Sequence, residues 1–205
     1  MELAVYIPAF VALFVIIDPI GMAPLFVALT AGMDATQRRK VAIRSCLVAF
    51  GLLTLFGLAG EAVLNFLGIS MPAFRMAGGI LLFLTALDML FERRSQRRQG
   101  QAEAEHSDDP SVFPLAIPLI AGPGSIATMI LLTGQEGGDL LHVALIHLVM
   151  AVVLLAVFVL FLLAGRLERL LGETGINVVT RLLGMLLAAL SVQFVIDGLR
   201  DLAVI

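Results

Sequence analysis

The sequence has no tryptophan, one tyrosine and one cysteine, and only 14% of its 205 residues carry charge. Each shortage excludes something. A soluble domain of this length needs a polar surface that so few charged residues cannot supply. A single cysteine, Cys46, rules out an internal disulfide. It falls near the start of an apolar run and reads as a small buried residue. Without tryptophan, no strong aromatic belt marks the membrane interfaces. No basic stretch opens the chain. Met1 and Glu2 are followed by an apolar run that continues past Asp18 to Leu29, so the start does not read as a cleaved signal peptide. Histidines are few, and His142 and His147 lie about 140° apart on a helix, poor geometry for one metal. Neither a metal, a cofactor nor a nucleic-acid partner is expected.

What is present is hydrophobic sequence. Apolar residues make up 60% of the chain, and mean hydropathy is +1.04. The segment 143–164 contains one histidine and no formal charge. Runs of that length cross a bilayer more readily than they fill a soluble core. The reading is an all-α polytopic membrane protein with six transmembrane helices, at 3–29, 41–67, 71–90, 112–133, 140–164 and 177–199. Each can cross a hydrocarbon layer of about 30 Å. The one strongly polar stretch, 91–111, reads as a linker.

Basic residues orient the chain. Arg38, Arg39, Lys40, Arg44, Arg93, Arg94, Arg97, Arg98, Arg166 and Arg169 follow spans one, three and five, whereas Arg75, Arg181 and Arg200 lie elsewhere. Ten of the thirteen basic residues therefore share one side, expected to be cytoplasmic, with both termini facing out of an inner membrane.

The two halves resemble each other. A shift of 104 residues brings Pro19 onto Pro123 and Leu67-Gly68 onto Leu171-Gly172. Two further residues bring Arg75 onto Arg181, Gly78 onto Gly184 and Thr85 onto Ser191. An odd number of spans in each half turns the second upside down, giving a 3+3 inverted-topology repeat of a kind common among transporters. The expected organisation is a first three-helix repeat at 1–91, a charged cytoplasmic linker at 92–111 and an inverted three-helix repeat at 112–205.

The most informative residues are breaks expected within spans one and four. In Asp18-Pro19-Ile20-Gly21, proline removes an amide donor and glycine loosens the backbone. Asp before Pro is also a helix-start signal, so a second half-helix is expected from Pro19. Gly122-Pro123-Gly124-Ser125 repeats the pattern. Free amides deep in lipid are too costly to leave unpaired, so such backbone implies burial in protein or a polar cavity. Two amide-rich helix starts suit a carboxylate, and Asp18 or free carbonyls suit an ammonium. Together they describe a site for a small zwitterion such as a neutral amino acid. The candidate substrate residues are Asp18, Pro19, Ile20, Gly21, Gly122, Pro123, Gly124, Ser125 and Thr128. Asp18 and Glu61 are candidates for proton coupling.

Each also has a plainer reading. Asp18 caps a half-helix, or it meets a ligand or proton. The prolines kink helices for packing. Ser125 and Thr128 bond their own preceding turn. Arg75 and Arg181 snorkel to the surface, or pair with an acid. Glu61, Asp88 and Asp197 lie toward span ends, where interfacial roles suffice.

On these residues the chain resembles the MarC family of integral membrane proteins. The anchors are Asp18-Pro-Ile-Gly21 with Pro24, and Pro118-Leu-Ile-Ala-Gly-Pro-Gly-Ser125. Arg75-Met-Ala-Gly-Gly79 and Gln193-Phe-Val-Ile-Asp-Gly198 also fit. The resemblance implies six spans in a 3+3 inverted repeat, a relation to LysE-type exporters, and transport of glycine- or alanine-like solutes by some members. A secondary transporter follows as the expected function. A non-transporting scaffold, a passive channel and an intramembrane enzyme are the alternatives. The enzyme is disfavoured because neither His nor Cys lies near the breaks.

Overall fold

A computed structural model describes residues 6–93, 109–135 and 139–202. It contains seven helical elements: α1 Ile7–Ile17, α2 Ala23–Leu29, α3 Ala35–Phe66, α4 Met71–Leu90, α5 Ser111–Ile120, α6 Pro123–Thr133 and α7 Leu140–Asp201. Most of the 92–111 linker lies outside the described residues.

Local chemistry sets the helix starts. Asp34 and Gln37 close a capping box on α3. The Gln37 amide donates to Asp34 Oδ1 at 2.8 Å, and the Asp34 amide donates to Gln37 Oε1 at 2.9 Å. Ser70 caps α4 and Asp139 caps α7 in the same i to i+3 manner. α5 is irregular. Phe113 and Ile117 precede prolines and are driven to extended dihedrals (φ −119° and −125°), so the segment coils with a π-type bonding pattern rather than as an α-helix.

The expectation of six spanning helices is corrected. Among the described residues three helices, α3, α4 and α7, are long and apolar enough to cross a membrane. A fourth span results if α5 and α6, bent by 56° at their junction, are taken together. The first expected span is two short helices of 11 and 7 residues, about 16 and 10 Å long, and neither crosses a bilayer alone. The last two expected spans run on in α7, a 62-residue element in which two helical stretches join across a kink at Gly172. Its only non-helical dihedrals are at Gly172 (φ 61°, ψ 176°), a conformation that glycine tolerates. The reason is physical. A hydropathy window counts apolar side chains without regard to backbone conformation, so it joins helices across a break and parts them wherever polar residues gather. The 3+3 inverted arrangement was built on six spans and does not stand on three or four.

α6 lies at the centre, with all residues from Ala127 to Thr133 buried. It touches four other elements, three of them at places where a larger residue would not fit. A Cβ on Gly124 would lie 2.8 Å from Ile16 of α1, and one on Gly60 of α3 would lie 2.4 Å from Ile130. One on Gly78 of α4 would lie 2.8 Å from Leu131. On the α7 side, the His142 ring hydrogen-bonds the Leu132 carbonyl at 2.9 Å. α4 packs antiparallel on the last part of α7. Added methyls at Gly198, Gly79 and Gly184 would meet Pro72 O at 3.0 Å, Ser191 O at 2.8 Å and Met89 Cβ at 2.9 Å. Small residues let the backbones approach, which in lipid replaces water exclusion as the source of association.

Ion pairs close both ends of that packing. Arg75, early in α4, pairs with Asp201 at the end of α7, and Arg181 pairs with Glu92 just past α4 at 2.6 Å. Of the two readings, pairing with an acid is the one found at both arginines. Large apolar side chains such as Leu47, Leu58, Leu155 and Leu170 face outward, as a lipid-facing surface requires.

Candidate functional site

The first break starts at Asp18, which closes α1 in the left-handed region (φ 57°, ψ 63°), its amide donating to Phe14 O at 2.9 Å. Pro19 disfavours right-handed helix at the residue before it, and Asp is among the few residues that tolerate the left-handed alternative. The side chain is buried, at 1% exposure, and its Oδ1 accepts the Gly21 amide at 3.1 Å. The Met22 amide reaches the Asp18 carbonyl at 3.1 Å. Pro19 to Met22 are therefore hydrogen-bonded turns, and α2 starts at Ala23 with Pro24 in its first turn. The half-helix expected from Pro19 starts four residues later, because Asp18 ends one helix rather than opening the next. Gly21 leaves room for the Asp18 carboxylate. A Cβ would lie 2.2 Å from Asp18 Oδ2.

The second break lies at Ala121 and Gly122. Gly122 is extended (φ −88°, ψ 173°) and caps α6, whose first residue is Pro123. A Cβ on Gly122 would lie 2.4 Å from the Pro118 carbonyl oxygen. The Ser125 hydroxyl donates across the break to Ile120 O at 2.6 Å, and Thr128 donates to Gly124 O at 2.8 Å. Both hydroxyls keep lone pairs for accepting. The first α6 amide bonded within the helix is that of Ile126, to Gly122 O at 3.0 Å. The amides of Gly124 and Ser125 precede it and have no acceptor in their own helix.

The two breaks are neighbours, since Gly124 faces Ile16 two residues before Asp18. Asp18, Pro19, Gly122, Ser125 and Thr128 are buried, Ile20, Gly21 and Gly124 are half-buried, and Pro123 is exposed. Glu61 is not brought to this place. It is exposed on α3, beside Gly60 whose face meets α6.

The histidines have structural partners. His142 is buried, and Tyr6 lies with its ring centroid 5.9 Å away. The His147 Nδ1–H donates to Val143 O at 2.7 Å, because a carbonyl can only accept. Its Nε2 faces Gly57 of α3, where an added Cβ would lie 3.0 Å away. Among the described residues, no group of three or more His, Cys, Asp or Glu could hold a metal ion. Residues that sequence reasoning missed gather at the basic end. Thr30 and the stacked rings of Phe26 and Phe161, 4.3 Å apart, adjoin Arg38, whose Nε donates to Thr30 O at 3.3 Å. No short motif announces that cluster, because α7 supplies part of it from more than a hundred residues away.

An all-helical, multi-pass architecture with irregular backbone buried at its centre defines the class as an integral membrane protein. The chain belongs to the MarC family of integral membrane proteins, whose model matches residues 3–203. It is 38% identical over 201 residues to a UPF0056 membrane protein of Aquifex aeolicus, covering 96% of this chain and 93% of that one. It is 37% identical over 196 residues to the UPF0056 inner membrane protein YhgN of Escherichia coli, covering 95% of each. The Bacillus subtilis UPF0056 membrane protein YvbG is 33% identical over 206 residues, covering 98% and 97%. No solved structure matches the chain. The protein is thus a multi-pass integral membrane protein of the MarC family.

Proposed function

We propose that this protein is a secondary transporter of small neutral amino acids of glycine or alanine size, working by alternating access around the two helix breaks. The observation that carries the reading is the buried Asp18 at a broken helix, next to a second break where α6 begins. A carboxylate would meet the substrate ammonium. The leading amides of α6 would meet the substrate carboxylate. Asp18 with Pro19, Ile20 and Gly21 forms one wall, and Gly122, Pro123, Gly124, Ser125 and Thr128 form the other. Small side chains along both suit a small substrate.

Protons are the proposed coupling ion, with Asp18 as the first carrier. Glu61, exposed on α3, is a second candidate that acts away from the breaks. Residues 1–91 and 112–205 are read as related halves joined by a cytoplasmic 92–111 linker. The reciprocal pairs of Arg75 and Arg181 support that kinship.

The test is counterflow of labelled glycine, alanine and serine in proteoliposomes, with and without a proton gradient. Saturable counterflow identifies a carrier and separates it from a channel. Asp18→Ala is expected to abolish it. Unchanged flux in that variant sinks the role given to Asp18. Absence of flux for all three solutes in folded protein removes the amino-acid assignment.

A further inference from the structure

The seam between α3 and α7 carries two cavities in line. One is a 210 Å³ pocket at the basic end, lined by Phe26 of α2, Arg38 of α3, and Phe161, Leu162 and Gly165 of α7. It has room for about seven waters at roughly 30 Å³ each, the size of a headgroup rather than of a drug. The other is a 260 Å³ groove walled wholly by apolar residues, with Cys46 and Phe50 on α3 facing Leu154, Leu155 and Phe158 on α7. The helices run antiparallel here, so the groove starts where the pocket ends.

The pocket carries positive charge. Arg38 is half-buried, between the exposed Gln37 and Arg39. Its Nε is anchored on Thr30 O at 3.3 Å, and among the described residues it forms no ion pair. Arg169 joins from α7, its Nε donating to the carbonyl of Gly165 on the pocket wall at 2.9 Å. Arg39, Lys40 and Arg166 are close in sequence, as are the acids Asp34 and Glu168, and Arg44 is paired with Asp109 at a separate pocket. From Arg38 to Phe50 is about 18 Å along α3, close to the ~15 Å depth of one leaflet. Along α7, exposed Leu155, Val159 and Leu162 form one face leading to the same pocket.

We propose that this seam holds one anionic phospholipid of the leaflet at the basic end. Its phosphate sits on Arg38 and an acyl chain lies in the groove. The two parts discriminate differently. An arginine presents paired donors to an oxyanion. The apolar groove gives the bound molecule a tail, which a free anion lacks.

The experiment is native mass spectrometry of the full chain released from detergent, titrated with phosphatidylglycerol or phosphatidylcholine. One phosphatidylglycerol is expected to be retained per chain, at least tenfold more tightly than phosphatidylcholine. Arg38→Gln is expected to lose that preference, and Arg39→Gln to keep it. Gly165→Leu adds bulk to the pocket wall at a position where an added Cβ meets nothing within 4 Å, and it too is expected to lose retention in protein shown to be folded. Equal retention of both lipids, or equal effects of Arg38→Gln and Arg39→Gln, overturns the site in favour of diffuse surface charge. Displacement of the lipid by millimolar inorganic phosphate or alanine overturns the lipid as occupant and assigns the pocket to a free oxyanion.

Discussion

At the scale of single residues, the breaks are tightest where glycine meets oxygen. A methyl at Gly21 would lie 2.2 Å from the Asp18 carboxylate, and one at Gly122 would lie 2.4 Å from a backbone carbonyl. The first clash is with a side chain that can rotate, at the cost of its bond to the Gly21 amide. The second is with backbone. Gly122→Ala is therefore expected to lower stability by about 1–3 kcal/mol, with Gly21→Ala costing less stability but disturbing Asp18. Thermal unfolding in detergent checks both, and equal tolerance of the two alanines would contradict the packing. Asp109 gives a pH prediction. Hydrogen bonding from Ser111, with the Arg44 guanidinium beside it, holds its carboxyl below the usual carboxylate value. A lowered folded-state pKa means the stabilisation is complete above the ordinary value near 4, and is lost as pH falls through the lowered one. The pair is exposed, so Asp109→Asn is expected to cost less than about 1 kcal/mol at pH 7. Unfolding curves of variant and parent should converge on acidification. The two breaks were legible because Pro and Gly act through their own backbone, which sequence displays directly. The position of the second half-helix was not legible. The Asp-Pro pair fits a helix start and a left-handed helix end equally well, and only the fold chooses.

At the scale of elements, two ion pairs occupy similar places with unlike surroundings. Arg75 is 13% exposed and Asp201 43%, while Arg181 is 52% exposed and Glu92 38%. Removing Asp201 leaves a largely buried guanidinium without its acid. Asp201→Asn is therefore expected to cost about 1–3 kcal/mol, and Glu92→Gln less than about 1 kcal/mol. Equal losses in unfolding measurements would mean that the contact between α4 and the end of α7 does not exclude water at Arg75. The close approach itself was signalled by small residues. The partners were not, because Gly79 meets Ser191 and Gly184 meets Met89 across a hundred residues. The span count failed at this scale. α1 and α2 together carry enough apolar residues for one crossing, yet the chain turns at Asp18 to Met22. Between Ala164 and Asn177 charged residues suggest a loop, yet the backbone stays helical except at Gly172.

At the scale of the whole molecule, charge placement makes a claim about orientation that the helices make testable. α3 has 32 residues and is about 48 Å long, well beyond the ~30 Å hydrocarbon layer, so its two ends lie on opposite sides. Its first turns carry Arg38, Arg39 and Lys40, with Arg44 one turn on, while its far end carries Asn65 and no base. Basic residues are retained in the cytoplasm, so Arg39 is expected inside and Asn65 outside. Both residues are exposed. In a Cys46→Ser background, an impermeant maleimide added to intact cells should label Asn65→Cys at once, and Arg39→Cys only after permeabilisation. The reverse pattern would invert the protein and place the Arg38 pocket in the outer leaflet. Labelling of both from one side would mean that α3 does not cross. Gly57 and Gly60 of α3 hold one side of α6, so the buried setting of the second break would then lose a wall, and the transport reading with it.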